Sequence, residues 1–288
     1  MNILLIGSNG QLGWELQRTV PDGISLTSLD YPEIDIRNPE SVRQTINLYS
    51  PDWVINAAAY TAVDKAEADI ENAYAVNATG IQYLAEAVQS SGGRLAHVST
   101  DFVFSGEQAI PYRSTDVPSP CCVYGQSKLQ GEQALMQTLP ERSFVIRTAW
   151  LYSAHGQNFV KTMLRLMSEK EELSVVDDQF GTPTWAKGLA LALWRGIEND
   201  LVGTFHWSDA GVASWYDFAV AIQEEAYPLG LLDRSIPIQP VSTDQYPTPA
   251  QRPPFSVLEK RSTWDALTME GTHWRKQLRL MLGELKHE

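Results

Sequence analysis

Seven residues near the start of the chain constrain the fold more than any others: Gly7-Ser8-Asn9-Gly10-Gln11-Leu12-Gly13. They follow an apolar run, Asn2–Ile6, that reads as a strand, and they open a helical segment through Trp14, Glu15, Leu16 and Gln17. Glycine is needed in such a turn because the backbone angles are unusual, a pyrophosphate must approach the main chain, and the helix must lie close to the sheet. The helix N-terminus then offers free N–H groups and a partial positive charge to phosphates. Glycines in a bare turn are common, so the context carries the weight. Asp30 falls at the end of the next strand, where a carboxylate can accept hydrogen bonds from adenosine ribose hydroxyls. That carboxylate favours NADH by repelling a 2′-phosphate, while nearby Arg37 softens the preference, so NADH and NADPH both stay open.

Further apolar runs at 24–29, 53–56, 94–98 and 143–148 alternate with amphipathic stretches, a rhythm that predicts a doubly wound α/β fold of Rossmann type with a parallel sheet. Asn38 can cap a helix whose first position, Pro39, has no N–H to lose, so a helix is expected over 39–49. Beyond about Trp150 the rhythm loosens. A helix is expected near 158–168, a strand near 173–176, a helix near 185–198 and a Pro-rich stretch over 246–254. The expected organisation is a dinucleotide-binding domain over 1–150 and a smaller, mainly substrate-binding domain over 151–288, with a return to the sheet within 185–208, near 203–206.

After the third strand, Asn56-Ala57-Ala58-Ala59-Tyr60-Thr61 brings small side chains to the sheet edge where ligands of open α/β folds bind; alanines packing helix on sheet read equally well there. At the end of the fourth strand stand Ser99, Thr100 and Asp101. A loop later comes Tyr124-Gly125-Gln126-Ser127-Lys128, a Y-x-x-x-K spacing that puts phenol and ammonium on one helix face. A carbonyl that receives hydride needs a proton on oxygen. A free phenol, with a pKa of about 10, donates sluggishly near neutrality, and a nearby cation stabilises its phenolate. Tyr124 is thus the candidate acid, Lys128 its cation and holder of the nicotinamide ribose, and Thr100 the hydroxyl that orients the carbonyl. In isolation the spacing is a frequent amphipathic pair; with the glycine turn and Thr100 it is specific.

Composition narrows the rest. A chain of 288 residues, 43% hydrophobic, can bury a large core, and a formal charge of −13 argues against a sequence-independent grip on nucleic acid. No basic leader and no long apolar stretch occur, so a cytoplasmic protein with no membrane partner is expected. The adjacent Cys121 and Cys122 imply no disulfide. The five histidines (His97, His155, His206, His273, His287) show no paired ligand spacing, and no catalytic metal is expected.

With these residues in view, the chain resembles the dTDP-4-dehydrorhamnose reductases, within the extended short-chain dehydrogenases, over essentially its whole length. The likeness runs through the opening glycine block, Ala62-Val63-Asp64-Lys65-Ala66-Glu67, Ser99-Thr100-Asp101-Phe102-Val103-Phe104, Val123-Tyr124-Gly125 with Lys128, and Arg147-Thr148-Ala149-Trp150. It continues in Asn158-Phe159-Val160-Lys161-Thr162-Met163, Asp178-Gln179-Phe180-Gly181-Thr182-Pro183-Thr184, and Tyr246-Pro247-Thr248-Pro249-Ala250 followed by Arg252-Pro253.

The resemblance implies reduction of the 4-keto group of dTDP-4-dehydro-L-rhamnose to dTDP-L-rhamnose, a donor for surface polysaccharides, with a nucleotide sugar as partner. By position, Gly10, Gln11, Leu12, Asp30, Asp35, Ile36, Ala59, Tyr60, Thr61, Val98, Tyr124 and Lys128 would touch cofactor beside Gly7 and Gly13. Thr100, Asp101 and Trp150 would touch substrate, with Trp150 alternatively a core aromatic, and Arg252 could clamp the diphosphate or simply sit at the surface. Some family members dimerise through acidic residues and magnesium. A homodimer is open here, but nothing in the sequence, Glu15 included, supports the metal.

Two departures stand out: Phe102 where the family usually has Tyr, and Cys121-Cys122 where Leu and Asn are common. Related dehydratases place an Asp-Glu pair after the threonine, and Phe102 cannot serve as that base. The epimerases are opposed by the C-terminal blocks. Two alternatives remain: a reductase of another nucleotide-linked keto-deoxy-sugar, and a non-catalytic subunit resembling the one that regulates a methionine adenosyltransferase.

Overall fold

Five strands over the first half, β1 (Asn2–Ile6), β2 (Ser25–Leu29), β3 (Trp53–Asn56), β4 (Arg94–Thr100) and β5 (Ser143–Thr148), form one parallel sheet with a sixth strand, Gly203–His206. The spatial order is Gly203–His206, β5, β4, β3, β1, β2. The molecule is a computed structural model that describes residues 1–286; His287 and Glu288 lie outside the described residues. β3 and β5 are buried along their whole length, the pattern of strands covered on both faces. One face packs Leu12, Leu16, Phe144 and Leu193 into a core; the other packs Val42, Ile46, Leu84 and Leu135.

Sequence and structure agree closely in the first half. The expected helix Pro39–Tyr49 forms, and the Asn38 side chain accepts from the N–H groups of Glu40 and Ser41. β4 runs two residues past its expected end, carrying Ser99 and Thr100 to the sheet edge. The connection from β1 goes to β2 on one side and the next strand, β3, lies on the other, so the chain reverses direction between β1 and β3. Ligands of open α/β sheets bind at such a reversal, outside the carboxyl ends of the strands.

In the second half, Phe159–Glu169 is capped by Asn158, which accepts from Lys161 N–H, and Ala186–Glu198 leads back to Gly203–His206, paired in parallel with β5. A separate core gathers Tyr152, Met163, Trp185, Phe218 and Leu278. This body meets the glycine turn directly: His155 Nε2 lies 3.0 Å from the Asn9 carbonyl oxygen, and Asn158 donates to Gln11 Oε1 at 3.0 Å. Among the described residues no helix is long and apolar enough to cross a membrane.

Candidate active site

The glycine turn is required by the fold at two positions and spared by it at a third. Gly7 has φ +87°, and a Cβ there would lie 2.5 Å from Ala58 N; a Cβ on Gly13 would lie 2.2 Å from the Gly7 carbonyl oxygen. Both are closer than real side chains tolerate, because β1, β3 and the helix Gln11–Arg18 converge at this point. Gly10 differs: its φ is −74°, and its nearest neighbour would be 3.5 Å from the added carbon. Protein packing does not demand glycine there, whereas a ligand lying on the turn would. Among the described residues the helix Gln11–Arg18 has no side-chain N-cap and no acidic residue in its first turn, so its leading N–H groups remain available to phosphates.

A cavity of about 450 Å³ opens beside this turn, lined by Gly7, Asp30, Asp35, Ile36, Arg37 and Ala59 among others. Asp30 accepts from Asn9 N–H at 2.8 Å and Tyr31 N–H at 2.7 Å, which fixes its carboxylate at the rim. Arg37 is forked onto Asp35, at 2.9 and 2.8 Å, and this pairing holds the Asp35 carboxyl below its ordinary range. An anion acceptor for ribose and a guanidinium thus share one rim. Cradle, open N–H groups and cavity fit a dinucleotide.

Across the edge of β4, Thr100 Oγ1 donates to Asp101 Oδ1 at 3.0 Å and accepts from Phe102 N–H at 3.2 Å. Tyr124, in the first turn of helix Val123–Thr138, is half-buried beside it. Burial pushes the phenol above its ordinary value, and hydrogen bonding with Thr100 offsets part of that rise, so the phenol keeps its proton at neutral pH. Lys128 is 2% exposed and donates to the Val98 carbonyl at 2.7 Å. Burial brings its ammonium down to about 8.

The helix start is held by Glu67, which accepts from Val123 N–H at 2.9 Å. Gly125 is needed because a Cβ there would lie 2.2 Å from the Phe102 carbonyl oxygen. The Phe102 ring itself packs edge-on to Tyr124 with centroids 5.7 Å apart, so the missing hydroxyl leaves an aromatic wall beside the phenol. Cys122 is the buried residue preceding the helix, and Cys121 is half-buried with its thiol 3.5 Å from the Gln251 carbonyl oxygen.

That contact brings the C-terminal segment beside helix Val123–Thr138. Arg252 forks onto Asp64 at 2.9 and 2.8 Å and lines a cleft of about 320 Å³ with Phe159, Met163, Trp215 and Tyr246. Trp150 sits at φ +46°, stacked on Trp215 at 3.5 Å and pressed against Gly181, where a Cβ would lie 2.5 Å from the indole. Asp101 is 2% exposed, and Ser256 donates to its second oxygen at 2.5 Å. Burial raises its carboxyl to about 6.

Sequence reasoning missed Asn77, Trp215 and Ser256. Asn77 accepts from Tyr60 N–H, donates to the Tyr60 carbonyl and to Ser127, and so ties the segment after β3 to helix Val123–Thr138. It sits in a π-helical turn, Ala75–Thr79, a local irregularity that periodicity does not reveal. Of the expected cofactor residues, Tyr60 turns its hydroxyl to Asp69 at 3.0 Å, Val98 contributes its carbonyl to Lys128, and Thr61 is exposed. Glu15 is wholly buried: it accepts from Ser153 and Trp185 and pairs with Arg18. Burial raises its carboxyl.

A dinucleotide cradle facing a Thr-Tyr-Lys constellation across the reversal point defines the class of short-chain dehydrogenases and reductases. The family model described as RmlD substrate binding domain matches residues 1–287. The dTDP-4-dehydrorhamnose reductase of Escherichia coli K12 is 41% identical over 99% of this chain and 98% of its own. Among solved structures, a dTDP-4-dehydrorhamnose reductase of Clostridium acetobutylicum superposes with a TM-score of 0.93 at 39% identity, covering 99% of this chain and 100% of that one. The Bacillus anthracis enzyme of the same name, solved in complex with NADP, gives 0.93 at 35% identity, covering 98% and 99%. The chain belongs to the dTDP-4-dehydrorhamnose reductase family.

Proposed function

We propose that this protein reduces the 4-keto group of dTDP-4-dehydro-L-rhamnose to dTDP-L-rhamnose with NADH or NADPH. The observation that carries this reading is the half-buried Tyr124, hydrogen-bonded with Thr100, at the same sheet edge as a glycine turn whose middle glycine the fold itself does not need. Bound in the cradle, a reduced nicotinamide supplies the hydride. Thr100 places the carbonyl, Tyr124 gives its proton to the carbonyl oxygen, and Lys128 steadies the phenolate left behind. The region over 1–150 holds the dinucleotide, and the region from 151 onward, with its return strand in the sheet, holds the sugar nucleotide against it.

Arg252, with Trp215 and Phe159 in the same cleft, supplies a guanidinium and aromatic faces suited to a nucleoside diphosphate. Asp30 supports binding of NADH and Arg37 that of NADPH. The test is oxidation of each cofactor by the purified protein, supplied with the keto sugar generated in situ and with the product identified. Oxidation yielding dTDP-L-rhamnose is expected. Cofactor binding without turnover would overturn the assignment and favour a non-catalytic role or another keto sugar.

A further inference from the structure

Behind Lys128 lies a row of buried polar groups that the reaction described above does not use. His97, on β4, and Asn56, at the end of β3, are 0% and 1% exposed. The Asn56 amide is oriented by one residue: its oxygen accepts from Ala58 N–H at 3.3 Å, and its nitrogen donates to the Ala58 carbonyl at 3.4 Å. The same nitrogen faces His97 Nδ1 at 3.1 Å. Nδ1 must therefore be the acceptor, which leaves the proton of the neutral ring on Nε2. His97 Nε2 lies 3.5 Å from Lys128 Nζ. A ring N–H is thereby aimed at a nitrogen that, as an ammonium, has only donors to offer.

We propose that Asn56 and His97 are positioning residues for the reduction: they hold an N–H against Lys128 Nζ and so loosen its grip on its third proton. The inference rests on Lys128 serving the reaction proposed above. Other groups around Lys128 are Tyr124 and Glu132 on its own helix and Arg147 on β5. Glu132 favours the ammonium and is itself forked by Arg147 at 3.0 and 2.7 Å. Burial and the neighbouring Lys128 charge keep His97 far below its ordinary value, so the ring is neutral in the working range. A cationic Lys128 steadies the phenolate, so turnover falls as pH rises through the lysine's titration, and Asn56 and His97 set where that fall begins.

Two measurements decide this. Nitrogen-15 NMR of the wild-type protein should show His97 with Nε2 protonated and Nδ1 bare; a proton on Nδ1 would overturn the proposal. In Asn56→Asp the ring is turned to the other tautomer, and in His97→Gln an amide oxygen can accept from Lys128 without adding charge. Both should move the alkaline limb of kcat upward by about one pH unit. A limb that stays in place in both variants contradicts the proposal. Absence of any keto-sugar turnover would instead remove the functional reading, while the tautomer measurement would still decide whether the buried row is built as described.

Discussion

At the cradle, Gly7, Gly10 and Gly13 stand within seven residues of one another and answer to a single turn. At the cleft, Asp64 and Arg252 stand 188 residues apart and meet only because the C-terminal segment returns to the catalytic helix. The first is a backbone device, in which the absence of side chains leaves the turn open to a ligand. The second is a side-chain device, assembled from four distant stretches around Asp64, Phe159, Trp215 and Arg252. The proposed catalytic residues lie between them, with Thr100 and Tyr124 contributed by the sheet side and Asp101 gripped by Ser256 from the far side. The difference predicts that damage to the cradle shows first in cofactor affinity and damage to the cleft in substrate KM, while damage between them shows in kcat alone.

The largest effect is expected where the two regions meet. Tyr124→Phe should lower kcat by roughly 10³-fold, about 4 kcal/mol, and leave cofactor affinity within twofold, because it removes a proton donor and little surface. Near-normal turnover by that variant would break the division of labour. Next come the glycines, which separate fold from binding within one turn. Gly7→Ala should cost about 2–4 kcal/mol in denaturant unfolding through strain and clash. Gly10→Ala should unfold at nearly the wild-type midpoint yet bind cofactor at least tenfold more weakly in a fluorescence titration.

On the cleft side, Arg252→Lys keeps the charge but loses the fork on Asp64, and it should raise KM for the sugar nucleotide by about tenfold with kcat little changed. The smallest effect concerns stability. Burial raises the Asp209 carboxyl to about 7, against the opposing pull of Lys260. A carboxyl raised above its unfolded value favours the fold below about pH 4 and loses that contribution as pH rises through 7. Asp209→Asn should therefore be more stable than wild type at pH 8.5, by roughly 1 kcal/mol and seen as a higher thermal midpoint, and lose the advantage at pH 5.

How much of this was legible in the sequence follows the same division. The strand boundaries, the Asn38 cap and the glycine turn are local, each fixed by residues within a few positions, and the Tyr124–Lys128 spacing needs only a helix to place both groups. Ser256 on Asp101, Trp215 on Trp150 and Asn77 on Tyr60 are pairings across long sequence distance, which no period or spacing encodes. Trp150 shows the limit clearly. The family resemblance makes it an expected substrate contact or a core aromatic, but its left-handed backbone and its confinement between Trp215 and Gly181 emerge only from the packed cleft. Glu15 is a further case: nothing in its sequence neighbourhood indicates that it is sealed beneath Ser153 and Trp185.

The most direct test of the central claim follows the hydrogen itself. The protein would be supplied with NADPH or NADH deuterated at the reactive position and with dTDP-4-dehydro-L-rhamnose, and the sugar product examined by NMR. The account predicts one deuterium at C4 of dTDP-L-rhamnose. Cofactor oxidation with no deuterium in the sugar, or with deuterium at any other carbon, would contradict it.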